Sequence, residues 1–319
     1  MNNLRKIGLS ALAGSLATFS VNAADVSVSG GASITLDDSN RGKGNRGNGF
    51  YMGDSLNFAM SGETDGGIGI AVNYEIDGGT LDDYNLKMSG DWGSLNFAGH
   101  GGSSAFGAID DKTPNAYEEA WAIIDTDGTA TTGSATVING GGGNNMFVYT
   151  SPSMGGATLQ VAYQNHGGSD GASSYTDMSV VMAPEAIDGL TIGVGLSDNT
   201  MLSGTVDVEE TTMFATYAVG SMTIGVQQSD YDSETANSDL ESTAMSVSYA
   251  VNDDISISYS KHDLETEAAA KGDQESTGIS ASFTSGGMTI AGAMNKVDNI
   301  AGTATRDAEG SEFTLSFAF

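Results

Sequence analysis

The sequence predicts an all-β protein, a transmembrane antiparallel up-and-down β-barrel of about 16 strands. Three observations carry this. Apolar residues recur at every second position along almost the whole chain, helical periodicity is nearly absent, and the connections between the alternating runs are short and long by turns.

The runs can be followed in order. Residues 1–23, MNNLRKIGLSALAGSLATFSVNA, carry Arg5 and Lys6, then an apolar stretch from Ile7 to Val21 and a small-residue cleavage site at Val21-Asn22-Ala23. They read as a secretory signal peptide that is cleaved, leaving a barrel domain over 24–319. Strand-like alternation then runs through Val26/Val28/Ala32/Ile34/Leu36, Leu56/Phe58/Met60, Ile68/Ile70/Val72/Tyr74/Ile76, Tyr84/Leu86/Met88 and Leu95/Phe97. After a long break it resumes at Phe147/Tyr149, Leu159/Val161/Tyr163, Met178/Val180/Met182, Leu190/Ile192/Val194/Leu196 and Met213/Ala215/Tyr217/Val219. It continues through Met222/Ile224/Val226, Met245/Val247/Tyr249/Val251, Ile255/Ile257/Tyr259, Ile279/Ala281/Phe283 and Met288/Ile290/Met294, and ends on Phe313/Leu315/Phe317/Phe319.

The short connections are 61–67, 90–94, 150–156, 183–189, 219–221, 250–254 and 284–287; the long ones, acidic or Gly-rich, are 37–53, 164–174, 197–210, 229–241, 262–274 and 297–310, with 76–83 the shortest of that set. A meander whose two ends differ in this way has tight periplasmic turns and long outer loops. A soluble sandwich would show the same alternation, but so many strands would place over half the chain in sheet, against roughly 20–25% for ordinary soluble domains. Pro114, Pro152 and Pro184 all fall in connections, where a missing backbone donor does no harm. A closed barrel has no edge, so the last strand is expected to pair with the first.

Composition excludes several functions. The formal net charge is −30 and the sequence pI about 4.1, a surface that repels nucleic acid. There is no Cys, hence no disulfide framework or thiolate site. Mean hydropathy is −0.14, as expected where lipid-facing residues alternate with lumen-facing polar ones. Chemistry is thin. His100, His166 and His262 have no partner at metal-binding or triad spacing, so no metal site, cofactor or enzymatic activity is expected beyond diffuse Ca²⁺ binding by acidic loops. GKGNRG, with Gly42, Gly44 and Gly47, matches the dinucleotide-binding pattern G-x-G-x-x-G without the surrounding βαβ unit and reads as a loop.

The break between Phe97 and Asn144 holds the third long loop, about residues 100–143. A connection of that length is functional or disordered, and GAIDDKTPNAYEEAWAIIDTDG argues for order. Ala116, Ala120, Trp121 and Ile124 give a short helix a packing face, with Asn115 as its cap and Glu118 three residues on. Lys87, between Leu86 and Met88, points into the lumen with Asn85 and Ser89.

The terminal Phe319 on the run Phe313/Leu315/Phe317, the strand-turn element Tyr149–Gly156 (YTSPSMGG), the strand start Gly93–Gly99 (GSLNFAG) and the oversized third loop resemble the general-diffusion porins of alphaproteobacteria, the Rhodobacter type. The likeness covers essentially the whole chain after the leader. It implies a homotrimer in the outer membrane of a Gram-negative bacterium, a third loop folded into the lumen, and a C-terminal Phe319 read by the barrel-assembly machinery, with its carboxylate paired to the N-terminal amine. It makes Asp110, Asp111, Glu118, Glu119, Asp125 and Asp127 the acidic edge of the constriction and Lys87 their basic partner, with Arg41, Lys43 and Arg46 leaning over the pore mouth. A ladder of several wall arginines is missing, so the transverse field is expected to be weak and negative.

The function implied is a water-filled, weakly cation-selective channel for small hydrophilic solutes and ions. The alternatives are a substrate-specific channel, or a plugged structural or adhesive barrel acting through its acidic outer loops. Lumen-facing residues are mostly Ser, Gly, Asn, Gln and Thr, without the row of aromatics of a sugar slide, and a dry plug would bury the loop's acids unpaired. Lys261 and Lys296, in the lipid-facing phase near the outer strand ends, and Lys271 nearby are candidate contacts for lipopolysaccharide phosphates. Trp92 and the strand tyrosines suit the interfacial girdles.

Overall fold

The computed structural model describes residues 25–37, 49–122, 138, 140–165, 174–198, 208–267, 272–304 and 306–319. The expected signal peptide and the amine expected at Ala24 after its cleavage lie outside the described residues. The strands are β1 (Asp25–Asp37), β2 (Phe50–Glu63), β3 (Gly69–Asp77), β4 (Thr80–Gly90), β5 (Gly93–His100), β6 (Gly102–Ser103), β7 (Gly142–Gly143), β8 (Met146–Thr150) and β9 (Ala157–Gln164). They continue as β10 (Tyr175–Met182), β11 (Leu190–Asp198), β12 (Val208–Val219), β13 (Met222–Ser233), β14 (Leu240–Ala250), β15 (Ile255–Thr266), β16 (Gln274–Ser285), β17 (Met288–Asp298) and β18 (Ala308–Ala318).

All but β6 and β7 form one closed antiparallel barrel of 16 strands, in which β8 follows β5 around the wall. The two-residue strands β6 and β7 pair with each other at the root of the third loop. Closure is made by β1 and β18, in register from Gly31 opposite Ala318 to Asp37 opposite Glu312. Beyond that ladder the Gly30 N–H donates to a main-chain carboxylate oxygen of Phe319 at 2.7 Å and the Phe319 N–H to the Gly30 carbonyl at 3.0 Å. In hydrocarbon an unpaired peptide group costs several kcal/mol, so a sheet crosses a bilayer only when its edges are joined in this way.

The two faces of the wall follow the alternation. In β15, Ile257 and Tyr259 are exposed on the outside while Ser258, Ser260 and His262 are buried within. The same phase exposes Met52, Met213, Met245, Ile279, Met294 and Phe313 around the circumference. An apolar belt of this extent is unfavourable in water and suits the acyl chains of a bilayer. At the turn end, Trp92 stacks on Tyr149 with ring centroids 6.3 Å apart, and the Tyr149 hydroxyl donates to the Trp92 carbonyl at 2.8 Å.

One end of the barrel carries the tight connections 64–68, 91–92, 151–156, 183–189, 220–221, 251–254 and 286–287. Pro152 and Pro184 lie in these, and Pro114 in the third loop. At the other end the strands run further than the apolar pattern suggests. The expected loop at 229–241 contracts to 234–239 and that at 297–310 to 299–307, because charged residues carry on the ladder beyond the apolar belt. The connection expected at 76–83 is a two-residue turn, Gly78–Gly79, both at positive φ.

Val226, exposed on the outside of β13, lies in the apolar belt, whereas Val219 lies at the turn end of β12. In urea unfolding from lipid vesicles, Val226→Arg is expected to lose about 2–4 kcal/mol and Val219→Arg only about 0–1 kcal/mol.

Candidate functional site: the third loop on the lumen wall

The chain leaves the wall after β5, and the stretch 101–122 of the loop runs along the inner faces of β10 to β18. Its root is zipped by β6 and β7 and by Asn144, whose side-chain oxygen accepts the Gly101 N–H at 3.3 Å. The carboxylate of Asp177 on β10 then takes the backbone N–H groups of Ala105 and Phe106 at 3.1 and 2.9 Å, together with the Tyr175 hydroxyl at 2.6 Å. Gln227 on β13 donates to the carbonyls of Ile109 and Asp110, both at 2.8 Å, and accepts the Lys112 N–H at 2.7 Å.

Further round, Ser246 on β14 donates to the Pro114 carbonyl at 2.7 Å, Ser258 on β15 accepts the Ala116 N–H at 2.9 Å, and Ser280 on β16 accepts the Tyr117 N–H at 3.0 Å. Asn295 on β17 donates to the Glu119 carbonyl at 2.6 Å, and the Tyr117 hydroxyl donates to Glu312 on β18. Each such bond contributes roughly 0.5–1.5 kcal/mol, so the loop is held by many moderate contacts spread over more than half the wall.

Small wall residues make room for this path. A Cβ on Gly225 would come within 2.3 Å of the Pro114 ring, and one on Gly278 within 2.9 Å of the Ala120 Cα. Ala116, Ala120 and Trp121 pack inward as expected, Trp121 against His262 with ring centroids 4.5 Å apart. The expected helix does not form over 105–122; the backbone there is a series of turns and bends. The reason is visible in the partners: the N–H groups of Ala116 and Tyr117 go to wall hydroxyls rather than to carbonyls one turn back. Asn115 does not cap a helix but donates to the Thr113 carbonyl at 3.2 Å.

With the loop against β10–β18, those inner faces are sealed: Ser179, Thr212, Ser229, Ser260 and Ser276 are all buried. The opposite arc stays accessible. Asn57, Asn73, Asn85 and Asn96 on β2 to β5 are half-buried and Lys87 is exposed. A recess of about 370 Å³ opens there between Lys87, Asn85, Asn96, Thr150, Gln160 and His100.

Comparison with protein families matches residues 8–319 to the Gram-negative porins. This chain belongs to that family. Porins are channels of the outer membrane, and the barrel is similar in fold to several solved ones. It matches the anion-selective porin from Comamonas acidovorans with a TM-score of 0.69 at 17% identity, over 93% of this chain and 100% of that one. It matches OmpT, an outer membrane protein of Vibrio cholerae, with a TM-score of 0.69 at 12% identity, over 94% and 99% of the two chains. A mutant of the Rh. blastica porin gives a TM-score of 0.62 at 14% identity, over 92% and 100%. No curated protein sequence matches.

In this porin the expected acidic edge divides in two. Asp110 and Asp111 are half-buried on the loop, next to an exposed Lys112. Glu118 and Glu119 are only 3% and 8% exposed, in the stretch that aims its N–H groups and Tyr117 at β15 to β18. Burial, then the Asp111 carboxyl hydrogen-bonded to it, raises the pKa of Glu119 well above the ordinary glutamate range. Burial and the neighbouring Glu312 likewise push up the Tyr117 phenol. Asp125, Asp127, Ile124, Arg41, Lys43, Arg46, Lys271 and His166 lie outside the described residues.

Sequence reasoning missed Lys112, which brings a positive charge to the loop's own acidic edge, and the wall acids Asp177 and Glu312 that hold the loop. Their inward strand phase was the available signal. It also left His100 isolated, whereas the fold sets its Nδ1 3.8 Å from an Asp83 carboxylate oxygen. Lys261 and Lys296 face outward near the outer strand ends, each paired with the acid two residues on, Asp263 at 2.8 Å and Asp298 at 2.7 Å.

Asp177→Ala strips the acceptor from two buried N–H groups, at about 1–3 kcal/mol each. Trypsin should then cut after Lys112 in the folded barrel much faster than in the parent. Glu119 gives a pH dependence. Its pKa is raised on folding, so its contribution to loop docking is fullest below about pH 4.3, the ordinary glutamate value, and is lost as pH rises through the raised value. With Trp92→Phe leaving Trp121 as the reporter, emission should shift to longer wavelength over that rise, and Glu119→Gln should flatten the change.

Proposed function

We propose that this porin is a water-filled, weakly cation-selective channel for passive diffusion of small hydrophilic solutes and ions. The observation that carries the reading is the unequal wall: the loop seals the inner face of β10–β18 while the polar face of β2–β5 remains accessible. A dry plug would cover both arcs, and a dedicated solute site would line the free arc with something more specific than amides, hydroxyls and one lysine. Solutes pass between Asp110 and Asp111 on the loop and Lys87 on the facing wall.

The field across that gap is weaker than the number of acids suggests, since Glu118 and Glu119 are withdrawn from the passage and Lys112 offsets one carboxylate. Cation preference then comes chiefly from Asp110, Asp111 and the acidic outer loops of a chain of net charge −30. The fold neighbour from Comamonas is an anion-selective porin, so sign is decided by side chains and not by the barrel. A trimer form of OmpT is known among the fold neighbours, and a homotrimer is the assembly we assign to this chain. Lys261 and Lys296 would meet lipopolysaccharide phosphates on the outer wall, and Phe319 would serve as the signal to the assembly machinery.

Reversal potentials across a KCl gradient in planar bilayers test the reading. Stepwise openings with a cation-selective potential are expected, reduced by Asp110→Asn with Asp111→Asn and increased by Lys87→Glu. Glu118→Gln should leave the potential nearly unchanged. A folded, inserted barrel that passes no current would overturn the channel in favour of a plug.

A further inference from the structure

Asp82 and Asp83 are consecutive residues of β4, and in a regular strand their side chains would point to opposite faces of the sheet. Here the ladder is irregular on both sides of them. The β3–β4 register shifts between Tyr74 and Ile76, and the β4–β5 register shifts between Tyr84 and Asn85. Bulges of this kind re-aim side chains, and they bring one oxygen of each carboxylate and a ring nitrogen of His100 within 4.8 Å of one another.

Two further observations mark the place as built. The Nδ1 atom of His100 is shielded from solvent and makes no hydrogen bond among the described residues, while the nearest Asp83 oxygen is 3.8 Å away, too far for one. Stacking of the ring beside Tyr84, with centroids 6.3 Å apart and planes 15° from parallel, holds it in that orientation. Gly101, at φ +68°, packs so closely that a Cβ there would fall 1.5 Å from the Asp83 oxygen. The chain turns off the wall around that carboxylate, at the root of the constriction loop, and the site opens into the recess that Lys87 lines.

We infer that Asp82, Asp83 and His100 bind one divalent first-row transition cation of the Zn²⁺ type. The donor set decides the class. An imidazole nitrogen with two carboxylates suits Zn²⁺ and its neighbours and leaves positions open to water, whereas Ca²⁺ and Mg²⁺ prefer oxygen alone. A bound cation would tie the loop root to the β3–β4 hairpin and place positive charge beside the passage.

The test is calorimetric titration of the folded full-length barrel in detergent with Zn²⁺ alone, in salt sufficient to screen the acidic surface. One strong site per chain is expected, not displaced by excess Ca²⁺. His100→Ala should weaken it by more than about tenfold, the loss already typical of groups outside the ligand shell, and His166→Ala should leave it unchanged. The isosteric Asp83→Asn should weaken it likewise and decides alone if His100→Ala does not fold. Absence of a strong site, equal affinity in both ligand variants, or displacement by Ca²⁺ would overturn the inference and leave only a diffuse carboxylate surface.

Discussion

Everything in this molecule depends on the join between β1 and β18. A bilayer offers peptide groups no partner, so a sheet that crosses it must satisfy every N–H and carbonyl within itself, and an antiparallel meander does so only as a ring. The ladder from Asp37–Glu312 to Gly30–Phe319 makes that ring. Once it is closed, the sides of the sheet acquire opposite solvents. The apolar residues belong outside, and the buried positions within are largely Ser, Thr, Asn and Gln. No conventional core is needed; the buried apolar clusters are small and lie mainly where the third loop meets the wall.

The third loop solves a different problem. Folded into the lumen without regular structure over 105–122, it would strand its peptide groups were the wall not furnished to receive them. Asp177, Gln227, Ser246, Ser258, Ser280 and Asn295 each supply a donor or acceptor at one point along its path. The bare backbone at Gly225 and Gly278 matters as much as those polar groups, since the loop lies close against the strands there. The result is a lopsided lumen, lined on one side by loop and on the other by bare strand that carries Lys87.

Much of this architecture was legible in the sequence, for a definite reason. Lipid punishes any break in the alternation, so strand phase is written plainly, and the lumenal placement of Lys87 and the outward placement of Lys261 and Lys296 follow from it. Length alone marked the third loop. Its internal conformation was not legible, because the partners that displace helical hydrogen bonds at Ala116 and Tyr117 lie 142 and 163 residues away. The withdrawal of Glu118 and Glu119 from the passage has the same origin. Asp83 and His100 escaped notice because a bulge breaks the very periodicity by which the rest was read. The strand ends beyond the apolar belt were missed for a simpler reason: hydrogen bonding continues where hydrophobicity stops.

The borrowed hydroxyls of the wall also impose an order in time. Tyr117 reaches Glu312 across 195 positions of chain, and the loop's other anchors are spread over β10 to β17, so the loop has no surface to fold upon until those strands stand side by side. Local hairpins form first and long-range contacts last, because each distant contact must overcome the entropy of the intervening chain. The third loop is therefore the final piece of the barrel to take shape. A half-built wall offers the loop only some of its anchors, and the docked loop is the mark of a barrel completed through β18.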